Sequence, residues 1–453
     1  MRSTRYALVL ICAVGAAGCV SDAATTPPNG VPSLSAASAA GASLSDPTQV
    51  VRWTGIANRD GQPSGEVPEC AAVRCDRYDL AVNLPAGSWV GRAGGVQVAL
   101  RWSGFGNNLS LFVYRGDTRV AASDGIVATA QSVLIPNAEN GAYRVYVAYD
   151  TKMAETFGAP LPPQIAYEAL AEVEYAPAAS PSAVLLPDLE ARAQRNVTFD
   201  VPPAIYFEAG VPTTSCFPSE IADENAKLCL RFDQVLANTG TGPLELRFEL
   251  PARGLADAQT GAIQQVVYKG DGSATTRRGG TWEFHGVHEH FHYTGFALSR
   301  LWTVDAGGKR GAAPVRSRRH RLGSAGTIAN TGRKVSFCIV DIEIDKWAQK
   351  GDAPRTYSAP GCLMPTAEGY LRQGLSAGWS DVYDWFLPDQ YIDVAGLPDG
   401  VYLLETVADP DNTLQETNET NNCGAVYVRL SGMATARPQS TLVGPAPGCA
   451  STK

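Results

Sequence analysis

Hydrophobic and polar residues alternate along several short segments in the N-terminal half of this chain. The clearest are residues 96–102, 109–114 and 143–149, where an apolar side chain recurs at every second position. Successive side chains of a β-strand point to opposite faces, so this period predicts strands with one buried and one solvated face. Turn residues separate the segments, and together they predict a β-sandwich over residues 49–176.

A second set of strand-like segments lies in residues 184–453, at 229–233, 244–246, 400–407 and 425–430. Valine, tyrosine and threonine are frequent, whereas apolar residues rarely recur at the spacing of a helix. We therefore predict a mainly β chain with two β-sandwich-like domains, of which the second carries its functional residues on long loops. Residues 177–183, rich in alanine, serine and proline, are the predicted linker.

The first 19 residues have the features of an export signal. Arg2 and Arg5 precede an apolar run at 7–14, and the sequence Ala-Ala-Gly-Cys ends at Cys19. This pattern predicts a bacterial lipoprotein signal with the lipid on Cys19, and an ordinary secretory signal is the alternative. We expect an outer-membrane or cell-surface lipoprotein, otherwise a periplasmic or secreted protein. Residues 20–48, rich in alanine, serine and proline, are predicted to be a disordered tether.

Charge and hydropathy restrict the partners of the chain. The net charge is −8 and no basic stripe is present, which argues against a nucleic-acid partner. No run after the signal is long and apolar enough to span a bilayer, so we expect membrane contact only through the lipid anchor.

The cysteines indicate disulfide bonds. The chain has ten cysteines, and eight remain when Cys12 and Cys19 of the signal are set aside. An even number in an exported protein indicates disulfides, although spacing alone does not establish connectivity. Close spacing suggests the pairs Cys70–Cys75, Cys216–Cys229, Cys338–Cys362 and Cys423–Cys449.

Four of the five histidines lie within residues 282–292. His288, His290 and His292 are spaced by two, so on a strand all three imidazoles would share one face. Neutral imidazole binds copper, zinc, iron and nickel, and copper(II) has the highest affinity in this series. The three histidines therefore predict a copper site, with a surface histidine patch that binds no ion as the alternative. His285 has the opposite parity and is predicted to face away from them.

Three segments of the second domain resemble the lysyl oxidase family. They are the histidine segment 282–292, residues 332–338 (Gly-Arg-Lys-Val-Ser-Phe-Cys), and residues 373–383 with their continuation at 390–394. Their order and rough spacing agree with that family. The resemblance implies a copper amine oxidase in which the three alternating histidines bind the metal.

The resemblance also implies an organic cofactor. Lys334 and Tyr383 match the lysine and the tyrosine that join as lysine tyrosylquinone after copper and oxygen oxidise the tyrosine ring. The implied reaction converts a primary amine, either peptidyl lysine or a small amine, to an aldehyde and releases hydrogen peroxide and ammonia. Without the histidine segment, a surface lysine and a core tyrosine would be the simpler interpretations. The alternative function is a non-enzymatic surface protein of the same fold that binds copper or mediates adhesion.

The general base of such a reaction is not evident from the sequence. Asp381 lies two residues before Tyr383 and would share its face on a strand, so burial could raise its pKa and make it the base. A solvated loop carboxylate is the alternative. Animal members of the family carry another histidine downstream of the copper segment, whereas residues 296–300 contain none, which argues against a histidine base here.

Residues 414–422 (Leu-Gln-Glu-Thr-Asn-Glu-Thr-Asn-Asn) place carboxylate and carboxamide oxygens at short spacing, which is typical of calcium ligands. The resemblance to the lysyl oxidase family implies that calcium there would join the first and last segments of the second domain. The alternative is an asparagine-rich turn whose side chains bond to their own backbone. The resemblance implies calcium ligands at Glu416, Asn418, Asn421 and Asn422, together with Asp188 and the backbone of Leu189.

The first domain resembles the bacterial pre-peptidase C-terminal domain in the order of its segments 75–78, 109–114 and 141–149. That resemblance implies a small β-sandwich attached to a secreted enzyme, with a role in binding or in spacing. No catalytic set of residues is evident in this domain.

Overall fold

The structure is a computed structural model that describes the greater part of the chain. It divides into two compact units, residues 1–35 and 36–453, and every described residue belongs to the second unit. Strands dominate, so the predicted mainly β fold class is confirmed. The described residues are 41–60, 62–104, 106–152, 155, 161–175, 180–204, 210–250, 260–285, 290–315, 332–335, 338–347, 353–358 and 365–446.

The first sandwich consists of two sheets built from residues 42–175. Its strands are β1 (Ala42–Leu44), β2 (Val50–Asn58), β3 (Cys75–Val82), β4 (Gly94–Trp102), β5 (Leu109–Arg115), β6 (Thr118–Ser123), β7 (Ala130–Pro136), β8 (Gly141–Tyr149) and β9 (Gln164–Tyr175), with a short 3-10 helix at Pro68–Cys70. One sheet has the order β1-β3-β8-β5-β6 and the other the order β2-β9-β4-β7. The alternating apolar residues of both sheets, such as Val98, Leu111 and Val145, form one buried cluster. Burial of each such side chain stabilises the fold by roughly 1.5–3 kcal/mol.

The predicted disordered tether is wrong at its C-terminal end. Strand β1 pairs in parallel with β3, and its Leu44 side chain is fully buried in the first sandwich. The segment is rich in alanine and serine, which predicted disorder, but its Leu44 packs in the core of the first sandwich. Residues 1–40, which include the predicted signal and residues 20–40 of the predicted tether, lie outside the described residues.

Residues 184–445 form the remaining sheets. Their elements are β10 (Val184–Leu185), β11 (Leu189–Ala191), β12 (Arg195–Thr198), α1 (Pro218–Glu224), β13 (Cys229–Asn238), β14 (Leu244–Glu249), β15 (Thr260–Lys269), β16 (Ala274–His285), β17 (His290–Val304), β18 (Arg310–Val315), β19 (Gly332–Val335), β20 (Glu343–Ile344), β21 (Tyr370–Leu375), β22 (Trp379–Tyr383), β23 (Tyr391–Asp393), β24 (Gly400–Ala408), β25 (Cys423–Ser431) and β26 (Gln439–Pro445). The larger sheet has the order β21-β14-β15-β16-β17-β24-β25-β26, with β10 beside β15 and with β18 and β19 beside β17. The smaller sheet has the order β11-β13-β22-β20, with β12 and β23 beside β13.

The two sheets pack face to face as a second sandwich. Leu230 and Phe232 of β13 share a buried cluster with Leu301 of β17 and Leu404 of β24. Strand β13 is buried at all ten of its positions, so it forms the centre of this packing. The predicted second β-sandwich is therefore present.

The first sandwich contacts the second directly. The Arg355 guanidinium donates to the Gln131 side-chain oxygen (3.1 Å), to the Ile126 carbonyl (3.2 Å) and to the Asp341 carbonyl (3.0 Å). The Thr129 amide donates to a carbonyl of the segment that follows Asp341 (2.9 Å). The predicted domain boundaries stay predictions, but the described parts of the two sandwiches are joined by more than a linker.

Two of the predicted disulfides are confirmed, Cys70–Cys75 and Cys216–Cys229. Cys338 and Cys423 are also disulfide-bonded. Their predicted partners, Cys362 and Cys449, lie outside the described residues, so those pairings stay predictions. Within the described part of the chain, no helix is long and apolar enough to cross a membrane.

We expect Arg355→Ala to lower the free energy of unfolding by about 2–3 kcal/mol, because three oxygens at the contact between the sandwiches each lose a hydrogen bond from the guanidinium. Equilibrium urea unfolding measures this loss. Arg77→Ala is the control, since the Arg77 side chain is 40% exposed and pairs with Asp79 and Glu66 at the surface of the first sandwich. That change should cost less than about 1 kcal/mol, and equal losses in the two variants would contradict the assignment.

Candidate functional site

The two ends of the histidine segment lie on strands β16 and β17. β16 ends at His285, β17 begins at His290, and these two residues pair in antiparallel register. The predicted orientation of His285 relied on parity along one continuous strand from His285 to His292. The chain reverses direction between the two strands, so odd and even positions before the reversal do not predict faces after it. The predicted orientation of His285 therefore loses its basis.

Strand β17 carries two of the three predicted copper ligands. His290 and His292 alternate along it with Phe291 and Tyr293, whose side chains are buried in the sandwich. The alternation expected from the sequence therefore holds for the backbone of these two histidines. His288 lies outside the described residues.

Strand β19 lies beside the histidine strand. It runs antiparallel to β17, with Lys334 opposite Ala297 and Val335 opposite Thr294. Thr294 follows His292 by two residues. The backbone thus brings the predicted cofactor lysine and two predicted copper ligands onto neighbouring strands.

Tyr383 ends strand β22 in the smaller sheet. It lies opposite Gln234 of β13 and is only 4% exposed. Its hydroxyl donates to the Pro388 carbonyl over 2.9 Å. Burial raises the pKa of this phenol well above its ordinary value, and the Asp389 carboxylate acts in the same direction. In this conformation the phenol is therefore held in its protonated form.

The sheet that carries Tyr383 connects to the histidine strand through Gln234. The Gln234 side-chain amide donates to the Ser299 hydroxyl of β17 over 2.8 Å, and Ser299 pairs with Gly332 of β19. Residues directly opposite in an antiparallel pair share a face, so the face with Tyr383 looks toward β17. Ser299 thus links the strand that pairs with Tyr383 to the strand that carries Lys334.

Asp381 is a buried strand residue. It lies opposite Leu236 in the β13–β22 pair and is 2% exposed. The alternative interpretation as a solvated loop carboxylate is therefore wrong. One residue separates Asp381 from Tyr383, so both face the same side of β22, and the Asp381 charge contributes to the raised pKa of Tyr383.

The sequence analysis missed two charged residues near Tyr383. Arg231 of β13 and Glu220 of α1 are both fully buried, and their ion pair measures 2.8 Å. Burial raises the pKa of Glu220 to about 7, while the Arg231 guanidinium opposes that shift. An arginine within the apolar run at 229–232 was the available signal, because an arginine is rarely buried without a partner.

The predicted calcium ligands come from opposite ends of the second domain's sequence, and the fold brings them together. The Leu189 amide donates to Glu416 Oε2 (2.7 Å), and the Asn421 side-chain amide donates to Asp188 Oδ1 (2.9 Å). The Asn422 side-chain amide donates to Glu416 Oε1 (2.6 Å). Direct hydrogen bonds therefore join the first and last segments of the domain.

Asn418 behaves differently from the other predicted ligands. Its Oδ1 accepts hydrogen bonds from the Thr420 amide (3.1 Å) and hydroxyl (2.7 Å), which is the local turn of the alternative interpretation. Two further carboxylates, Asp409 and Glu419, were not in the predicted set. One oxygen from each and one from Glu416 all lie within 4.8 Å of one another. The acidic residues between 409 and 419 were the available signal.

This cluster has the chemistry of a cation site. Asn421 Oδ1 and Asn422 Oδ1 are buried, and neither accepts a hydrogen bond from the described part of the chain. A buried acceptor without a donor costs roughly 1–3 kcal/mol, which a bound cation would offset. Burial raises the pKa of Glu416 to about 8, and the charges of Glu419 and Asp409 add to this effect. Carboxylate and carboxamide oxygens are the ligands that calcium prefers.

A cavity of about 210 Å³ lies on the other face of β13, lined by Arg192, Ala193, Arg195, Val235, Glu343, Asp345 and Lys346. Val235 lies opposite Val382, the neighbour of Tyr383 in β22. Adjacent strand residues point to opposite faces, so this cavity opens away from the face with Tyr383.

Comparison with known proteins identifies relatives of the C-terminal region. The sequence model of the lysyl oxidase family matches residues 320–437, which include Lys334, Asp381 and Tyr383 but not the histidine segment. Protein-lysine 6-oxidase of Gallus gallus is 24% identical over 219 residues, 48% of this chain and 38% of that protein. The Homo sapiens protein of the same name has the same identity and coverage.

Lysyl oxidase homolog 2 of Bos taurus is 25% identical over 151 residues, which are 33% of this chain and 15% of that protein. The chain thus spans well under half the length of these relatives. The predicted family resemblance is confirmed for the C-terminal region, at about a quarter identity.

Proposed function

We propose that this chain, whose C-terminal region belongs to the lysyl oxidase family, is a copper-dependent amine oxidase. It would oxidise primary amines, of peptidyl lysine or of small molecules, to aldehydes with oxygen as the oxidant, releasing hydrogen peroxide and ammonia. The strand register carries the proposal, because His290, His292 and Lys334 lie on neighbouring strands and Tyr383 is buried in the facing sheet. The relatives named protein-lysine 6-oxidase support the class of substrate.

His288, His290 and His292 would hold the copper, and Lys334 with Tyr383 would form lysine tyrosylquinone. Imidazoles at strand spacing are a donor set that fits copper(II). When formed, the quinone would supply an electron sink for the amine, and bound copper would support formation of the quinone and the transfer of electrons to oxygen.

Asp381 is the proposed general base. Its carboxylate is buried on the same strand face as Tyr383. A base must lie within hydrogen-bond reach of the carbon-bound proton that it removes, and Asp381 is the buried carboxylate nearest to Tyr383 in sequence on that face. The enclosed position of Tyr383 also excludes water from the reacting ring.

We expect Lys334→Ala to abolish the quinone signal and peroxide release while copper remains bound, because the deprotonated ε-amine of Lys334 is the nucleophile of the cross-link and is not a ligand of the metal. Redox-cycling staining of copper-loaded protein measures the quinone, a peroxide assay measures turnover, and metal analysis measures the bound copper. Lys309→Ala, which changes an exposed lysine in a turn, is the control and should retain the full signal.

The contrary outcome is a copper-loaded native chain that shows neither quinone nor peroxide with polyamines and protein lysine as substrates. That result would favour the alternative function, a non-enzymatic surface protein that binds copper or mediates adhesion. A response to only one of the two substrate types would instead identify the size of the amine.

Calcium is the second proposed ion, held by Glu416, Asn421, Asn422 and Asp188. Saturating calcium should raise the stability of the native chain by about 2.7 kcal/mol at one hundred times the Kd. Glu416→Gln should remove this gain because it removes a negative oxygen, whereas Asn418→Ala should retain it. Thermal unfolding with and without calcium measures the effect, and a full gain in Glu416→Gln would disprove the site.

Export as a lipoprotein through Cys19 is the proposed localisation. The disulfides at Cys70–Cys75 and Cys216–Cys229 support an oxidising compartment. We expect Cys19→Ser to lose palmitate labelling and membrane association, while Cys12→Ser keeps both. Labelling of the Cys19→Ser protein at native levels would contradict the anchor.

A further inference from the structure

The turn that follows Tyr383, residues 385–389, is held by a buried arginine. Arg231 is fully buried, and its Nε donates to the Trp385 carbonyl over 2.6 Å. Its Nη2 donates to the Leu387 carbonyl. A guanidinium presents several donors in one rigid plane, so a single side chain can hold two carbonyls of the same turn.

Glu220 holds the other end of the 385–389 turn. Arg231 Nη1 donates to Glu220 Oε2 over 2.8 Å, and Glu220 Oε1 accepts the Asp389 amide over 2.8 Å. Asp389 has a φ of 64°, in the left-handed region that residues other than glycine rarely adopt. The ion pair therefore stabilises a backbone conformation that the turn would not favour by itself.

The held turn determines where the Tyr383 phenol lies. Its hydroxyl donates to the Pro388 carbonyl over 2.9 Å. Pro388 stands between Leu387 and Asp389, and Arg231 and Glu220 hold these two neighbours. A shift of the turn would thus move the partner of the phenol.

The ion pair is also held by contacts that lie outside the 385–389 turn. The Cys216–Cys229 disulfide joins the segment before α1 to the start of β13. Glu220 Oε2 also accepts the Phe217 amide over 2.8 Å, and Arg231 Nη1 donates to the Ser215 carbonyl over 3.1 Å. These contacts define the position of the pair without help from Tyr383.

A contribution to stability does not by itself explain such a pair. Replacement of a buried ion pair by apolar residues of similar size is often neutral or stabilising, because desolvation of both charges offsets their attraction. The contacts of this pair converge on the turn that receives the phenol, which indicates a role in geometry.

We propose that the Arg231–Glu220 pair is a positioning device for Tyr383, holding its ring in the place where Lys334 must reach it. The proposal rests on the proposed function, since it assigns the pair to formation of the lysine–tyrosine cross-link. A displacement of about 1 Å can slow a reaction that depends on orientation by roughly 100-fold.

The test uses the full chain with Glu220→Met and Arg231→Met combined, so that no unpaired charge stays buried. In metal-free protein, amide hydrogen exchange in residues 383–391 should accelerate by at least about tenfold, with β24 and β25 unchanged. After copper loading, the yield of cross-linked Lys334–Tyr383 peptide, measured by mass spectrometry, should fall by at least about tenfold at unchanged copper content. Arg310→Met, which removes a partner of the buried Glu405 on β24, is the control and should change neither quantity.

Two further variants cover a failure of the double variant to fold. Arg231→Lys keeps the charge but not the planar fork, and Glu220→Gln keeps the acceptor for Asp389 but not the ion pair. We expect Arg231→Lys to show fast exchange in residues 383–391 and Glu220→Gln to show a smaller acceleration. Full protection in Arg231→Lys would overturn the proposal, because charge alone would then suffice.

Failure of this proposal is distinct from failure of the proposed function. Absence of the cross-link from the native chain would refute the oxidase, while the exchange measurement on metal-free protein would still test the hold on the turn. Unchanged exchange in the double variant would overturn the positioning role. Accelerated exchange with native cross-link yield would overturn it as well.

Discussion

The antiparallel pairing of β13 with β22 is the interaction on which the rest of the candidate site depends. Strand β13 is buried at every position, and a buried backbone must find hydrogen-bond partners within the protein. Its register with β22 sets Tyr383 opposite Gln234 and Asp381 opposite Leu236. A slip of one residue would turn both side chains toward the opposite face, away from β17 and β19.

Buried charges connect the elements around this pairing. The fully buried Asp341 carboxylate accepts the amides of Thr356, Tyr357 and Ser376 and the Ser376 hydroxyl. Ser376 lies just before β22, and Asp341 lies after β19 in the chain. One carboxylate thus joins the segment that follows Lys334 to the segment that precedes Tyr383. Arg355 extends this connection to the first sandwich through the Asp341 carbonyl.

Much of the fold could be predicted from local patterns, and several features could not. Strand alternation predicted both sandwiches, and close spacing predicted two disulfides that the structure contains. Parity along one strand does not apply to His285, because the chain reverses direction between β16 and β17. Composition wrongly predicted disorder around Leu44, because one apolar residue in an alanine- and serine-rich segment is enough to join a sandwich core. The charge pair of Arg231 and Glu220 was missed because its members lie 11 residues apart in different elements.

By itself the sequence determined the β-rich class, the chemical identity of the candidate ligands, and the resemblance to the lysyl oxidase family in the C-terminal region. These follow from residue types and spacing within short segments, which do not depend on how the segments pack. Only the tertiary structure decided that Asp381 is buried beside Tyr383, that Asn418 bonds within its own turn, and that Arg231 holds the turn behind the phenol. Those facts arise from contacts between residues distant in the chain, where burial and hydrogen-bond partners are set by strand register and sheet packing.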